Sequence, residues 1–166
     1  MTYHLPVILT SNDFAVLEAM SQQWTEPFVG AADILRRKLS AATVVFPTDI
    51  PADIVTLKSR VRFGIGPMHL DERVLVRGPA EEVYGMTMLL ASPRGLALIG
   101  AAVGQTVAAV RRDGSVEQLH VEAVPYQPEQ KRAPAPIQFV PRHELAKPKW
   151  VASPYGGNDD PGPSAA

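Results

Sequence analysis

The stretch ASPRGLALIGAAVGQTVAAVRRDGSVEQLHVEAV, residues 91–124, decides how this chain folds. Ser92 is a strong helix-capping residue, and Pro93 suits the first helical position because its missing N–H would have no partner there. The spacing predicts a brief helix ended by Gly100 and Gly104. Beyond it, QTVAAVRR and SVEQLHVEAV read as strands flanking Asp113-Gly114, the dipeptide that best marks a tight hairpin. A rigid Ser-Pro corner thus stands between strands with no nucleophile, base or metal ligand beside it. The corner reads as a surface for grasping a protein.

Working outward toward the N-terminus, GMTMLLA and DERVLVR are expected to be strands. From Val55 the pattern has period two, with Val55, Leu57, Ser59, Val61 and Phe63 on one side and Thr56, Lys58, Arg60 and Arg62 on the other. That predicts a half-buried strand with a basic outer face. Residues 55–126 are accordingly expected to form a mostly antiparallel sheet with one short helix, an α+β arrangement. VVFPTDIPADIV, punctuated by proline, reads as a connector into it.

Before that connector lies a helical signature. Thr10-Ser11-Asn12-Asp13 offers several oxygens to the free N–H groups of a helix start. Phe14, Leu17, Met20 and Trp24 then recur at three- and four-residue spacing. TEPFVG breaks the pattern at Pro27 and Gly30. AADILRRKLSAA resumes it, with Ile34, Leu35 and Leu39 inward and Arg36, Arg37 and Lys38 toward solvent. The result is an antiparallel helical hairpin whose arms are each about 20 Å long at 1.5 Å per residue. Residues 1–46 form the hairpin region and 47–127 the sheet domain. Residues 128–166 hold half of the 16 prolines and read as an extended or disordered tail.

The totals narrow the function. In 166 residues, 46% are hydrophobic, 20% are charged and the net charge is −1, so the molecule as a whole has no electrostatic reason to seek duplex DNA or a membrane. With no cysteine, disulfides, thiolate metal sites and thiol nucleophiles are excluded. The N-terminal stretch carries Asn12, Asp13 and Glu18 and is not a signal peptide. No apolar run reaches the roughly 18 residues a membrane span needs. A cytoplasmic protein is expected.

No cofactor or metal is expected either. His4, His69, His120 and His143 have no partner at ligand spacing, and His120 falls on the polar phase of its strand. Ser92 lacks the surroundings of a hydrolase nucleophile and is better placed as a cap. FGIG is followed by Pro67, Met68 and His69 instead of a helix with a lysine, so it reads as a hairpin turn. The neighbouring acids Asp71-Glu72 and Glu81-Glu82 would point to opposite faces of a strand. Lys58, Arg60 and Arg62 could meet phosphate or an acidic protein surface, although no interleaved aromatics suggest base stacking.

The strings PADIVTLKSRVRF, ASPRGLALIGAAVGQTV and VEAVPYQPE, in this order, resemble the Gre-type transcription factors, and within them the short-hairpin Rnk branch. The resemblance covers roughly residues 5–129. It implies an FKBP-like fold for the sheet domain and RNA polymerase as the partner, gripped at the rim of its secondary channel. It places Ser92 and Pro93 at that contact, with Arg94 and Gly95 as neighbours. Gre factors stimulate transcript cleavage by presenting acids at the tip of a long coiled coil, where they help hold magnesium. Here the tip offers Glu26, with Asp33 nearby, on a short arm, so occupancy of the polymerase is expected instead of catalysis. The alternatives are a true cleavage-stimulating factor using Glu26 and Asp33, or a nucleic-acid binder using Lys58, Arg60 and Arg62. Prolyl isomerase activity is not expected, because Phe63, Tyr84 and Tyr126 are too few to line a proline pocket.

Overall fold

A computed structural model describes residues 6–130, apart from Trp24 and Glu26. Strand β1 (Val7–Thr10) runs directly into helix α1 (Ser11–Gln23). Thr10 makes the transition, its Oγ1 accepting the Asp13 N–H at 3.0 Å and so satisfying one of the donors a helix start leaves open. Leu17 is fully buried on this helix. A turn through Gly30, at φ +84°, leads to α2 (Ala31–Ala41), which buries Ala31 and Leu35 and packs against α1. The expected antiparallel hairpin is present; Trp24, the last member of its apolar stripe, lies outside the described residues.

The hairpin ends in an element the sequence pattern did not announce. Ala42–Val45 forms β2, paired parallel to β1 in the register Val7↔Ala42 to Thr10↔Val45. The unit is therefore β-α-α-β, and part of the expected connector is strand. Thr43, Val44 and Val45 are β-branched and favour extended backbone, but four residues are too few to display a period.

The second sheet has the order β5-β4-β3-β7-β6. Its strands are β3 (Arg60–Ile65), β4 (His69–Val76), β5 (Thr87–Leu89), β6 (Thr106–Val110) and β7 (Val116–Tyr126). The β3–β4 connection is the hairpin turn expected at FGIG, with Gly66 at φ +62°. The β6–β7 hairpin turns at Asp113-Gly114 as expected, Gly114 having φ +82°. Two expectations are corrected. The strand expected from Val55 begins only at Arg60, because Thr56–Ser59 closes into a turn in which Thr56 N–H donates to Ser59 Oγ and Ser59 Oγ donates to Thr56 O. Lys58 takes φ +65° in this turn, and Thr56 is buried, its Oγ1 donating to Glu129 Oε2 at 2.8 Å, instead of facing outward. Strand β5, moreover, pairs parallel to β4. The chain between them doubles back through a short 3-10 turn at Pro79–Glu81.

The hairpin and the sheet share one core. Leu9, Leu17 and Leu35 belong to the same buried cluster as Val61, Phe63, Leu96 and Leu98, so packing is continuous across the boundary expected at residue 46. Four hydrogen bonds reinforce it. Ile8 N–H donates to Gly100 O at 3.1 Å, Leu57 N–H donates to Asp13 Oδ2 at 3.2 Å, and Lys38 Nζ donates to Ala97 O and Ile99 O. Lys38 is thus corrected from a solvated position to a link between α2 and the next helix. Gly100 has no room for a side chain, since a Cβ would stand 2.7 Å from Val7 Cγ1 and 2.8 Å from Leu9 Cδ2.

The start of the expected tail is also anchored. Gln127 Nε2 donates to Pro51 O and Ile54 O, at 2.9 and 2.7 Å, and Gln130 Nε2 donates to Ile50 O at 3.1 Å. These bonds hold the proline-rich connector against the end of β7. The rest of the expected tail, from Lys131 onward, lies outside the described residues. Among the described residues no helix is long and apolar enough to cross a membrane.

Candidate functional site

The Ser-Pro corner is built from both sides. Helix α3 (Pro93–Leu98) has Pro93 at its first position and Ser92 as its cap. Ser92 Oγ accepts the Gly95 N–H at 3.0 Å and donates to Leu89 O at 2.6 Å. One hydroxyl therefore closes the helix start and ties it to the end of β5. Leu96, Leu98 and Ile99 are fully buried, which anchors the corner in the core as their apolar character leads one to expect. Ser92, Pro93 and Arg94 are half-buried at the surface.

Gly95 is not part of that surface. It is buried, and a Cβ there would stand 2.1 Å from Leu89 O. It lets α3 lie directly on the backbone of residues 89–90, so it shapes the corner from beneath instead of facing outward.

Arg94 leaves the corner for a buried acid. Its Nε and Nη2 donate to the two carboxylate oxygens of Glu117 at 2.8 and 2.9 Å, a bidentate pair of the strong, directional kind. Arg111 Nη2 reaches Glu117 Oε1 as well. The Arg94 hydrogen bonds, joined by those of Arg111, hold the Glu117 carboxyl well below the usual carboxylate range against the opposing effect of burial. Glu117 was missed as a site residue, yet its signal is legible, because Glu117, Leu119 and Val121 occupy the inward phase of β7. An acid on the apolar phase of a strand needs a cation.

This fork forms one wall of an open cavity of about 420 Å³. Phe63, Met88, Leu89 and Pro93 supply apolar surface, and Arg73, Arg111 and Arg112 stand around it. Arg73 is paired with Asp71 at 2.9 Å.

The remaining expected positions do not join this site. Arg60 and Arg62 are exposed, but both pair with Glu72, at 3.7 and 2.7 Å, so the basic face is partly neutralised from within its own sheet. Lys58 stands apart from them in the turn before β3. Asp33 lies in the first turn of α2, exposed and paired with Arg36 at 3.0 Å. Glu26 lies outside the described residues. No group of three or more His, Cys, Asp or Glu side chains among the described residues is arranged to hold a metal ion.

A short helical hairpin sharing a core with a five-stranded sheet, and a capped Ser-Pro corner on that sheet, define a Gre-type protein. The GreA/GreB transcription elongation factor from Nitrosomonas europaea superposes with a TM-score of 0.58 at 28% identity, over 73% of this chain and 98% of that one. The regulator of nucleoside diphosphate kinase from Escherichia coli K12 is 30% identical over 125 residues, covering 74% of this chain and 91% of that protein. The Shigella flexneri protein of the same name gives the same figures. No protein-family profile matches. The chain belongs to the Rnk family, the regulator-of-nucleoside-diphosphate-kinase branch of the Gre-type factors.

Proposed function

We propose that the protein is a non-enzymatic, transcription-associated regulator that docks on RNA polymerase at the rim of the secondary channel and competes there with Gre factors. The supporting observation is the Ser92-Pro93 corner, held by Ser92 Oγ at both ends and seated on buried leucines. A surface already fixed in shape loses little conformational entropy on binding, so more of its contact energy appears as affinity. The relationship to Gre factors supports RNA polymerase as the partner.

The same reading gives the hairpin no chemistry. Its helices of 13 and 11 residues are about 20 and 16 Å long, a short probe for a deep channel. Asp33 is occupied by Arg36, and a single remaining carboxylate at Glu26 is a poor magnesium ligand set. Nucleic-acid binding is the weaker reading because Glu72 engages both Arg60 and Arg62.

Competition against a Gre factor for purified core polymerase tests partner and site together. Displacement is expected, and the Ser92→Ala/Pro93→Ala double variant is expected to lose it about tenfold. A variant that competes as well as the parent would remove the corner from the contact. In stalled elongation complexes no RNA cleavage is expected. Cleavage abolished by Glu26→Gln would establish the catalytic alternative instead.

A further inference from the structure

An open cavity lies beside the corner, with Met88, Leu89 and Pro93 as its apolar floor. Its charged groups are unequal, with four arginines (Arg73, Arg94, Arg111 and Arg112) against three acids (Asp71, Glu82 and Glu117). Two of those acids are already committed. Glu117 is bonded by Arg94 and Arg111, and Asp71 by Arg73. Arg94 uses Nε and Nη2 on Glu117, whereas Arg111 uses only Nη2. Arg112 is exposed and forms no ion pair with the described residues, nor does Glu82 across the cavity. The fork on Glu117 fixes where Arg111 stands, and the exposed Arg112 adds an uncommitted guanidinium at the rim.

We infer that this cavity receives an acidic side chain with an apolar neighbour, both from the protein that docks on the corner. The apolar residue covers the floor, and the carboxylate meets Arg111 and Arg112. This rests on the docking proposed above. The two charged groups without partners make it testable in opposite directions, because reversing Arg112 removes attraction and reversing Glu82 removes repulsion. Neither side chain supports a described contact in the fold, so neither change is expected to alter Tm.

The experiment measures the affinity of the full chain for nuclease-treated core RNA polymerase at low and high salt. Arg112→Glu is expected to weaken binding about tenfold at low salt and much less at high salt, with Arg112→Lys within about threefold of the parent. Glu82→Lys is expected to tighten binding about threefold at low salt. Leu89→Asn, which places an amide on the floor, is expected to weaken binding at both salt concentrations. If the corner double variant weakens binding while Arg112→Glu and Glu82→Lys leave it unchanged, the cavity inference is overturned and the docking stands. Tighter binding by Arg112→Glu would also overturn it, since the partner group would then be basic. A parent chain with no affinity for the polymerase takes down both.

Discussion

A methyl group on Gly95 would stand 2.1 Å from Leu89 O and 2.9 Å from Leu90 Cα, well inside contact distance, and both atoms belong to backbone that cannot swing away. Gly95→Ala is therefore expected to cost about 3 kcal/mol, roughly 10 °C in Tm, by thermal unfolding. The corner would be lost with it, although Gly95 is itself buried. Asp13 gives a second test at this scale. Burial raises its carboxyl to about 6, against the Leu57 N–H bond, with Glu129 adding to the rise. The folded state thus prefers the protonated form. The stability this confers is full below the unfolded value of 3.8 and is lost as pH rises through about 6. Relative to Asp13→Asn, the parent is expected to lose about 2.5 kcal/mol between pH 4 and 7.5, read from urea unfolding at the two pH values. A difference that does not change with pH would mean Asp13 is not buried as described.

Helix α3 is only six residues long, too short to persist on propensity alone, so it depends on its cap and its buried face. Ser92→Ala removes the bonds to Gly95 N–H and Leu89 O and is expected to cost about 1–2 kcal/mol in urea unfolding. A Thr replacement should recover most of it. This element was legible in the sequence because Ser-Pro and Gly100 mark both ends in local terms. The β6–β7 hairpin was legible for the same reason at Asp113-Gly114. Strand β2 and the parallel pairing of β5 were not, since both are set by distant partners, β1 and β4, which leave no local period. The turn at Thr56–Ser59 interrupted an alternation that looked continuous. Ser59 was read as an inward strand residue when its hydroxyl was closing a loop.

At the scale of the molecule, the sequence suggested a hairpin, a sheet and a tail, and the structure joins their edges. The Ser-Pro corner is legible in the sequence, but the cavity beside it is not, because its arginines come from a strand, a helix and a hairpin turn and meet only when the sheet forms. Gln127 shows the same limit. It looks like the last polar residue before a tail, yet it is buried and holds the 50–56 segment through Pro51 O and Ile54 O. Gln127→Ala is expected to destabilise the whole described fold by about 2–3 kcal/mol, and hydrogen exchange should quicken first around residues 50–56. One further property comes from the paired β1 and β2. The parallel register sends α1 off at the level of Thr10↔Val45 and receives α2 at the level of Val7↔Ala42, so the base fixes both ends of the helical arm and leaves the length between them to the helices. Whole heptads added to both helices would lengthen the arm while leaving the paired strands and the Ser-Pro corner untouched, making arm length and corner shape separately adjustable in a single polypeptide.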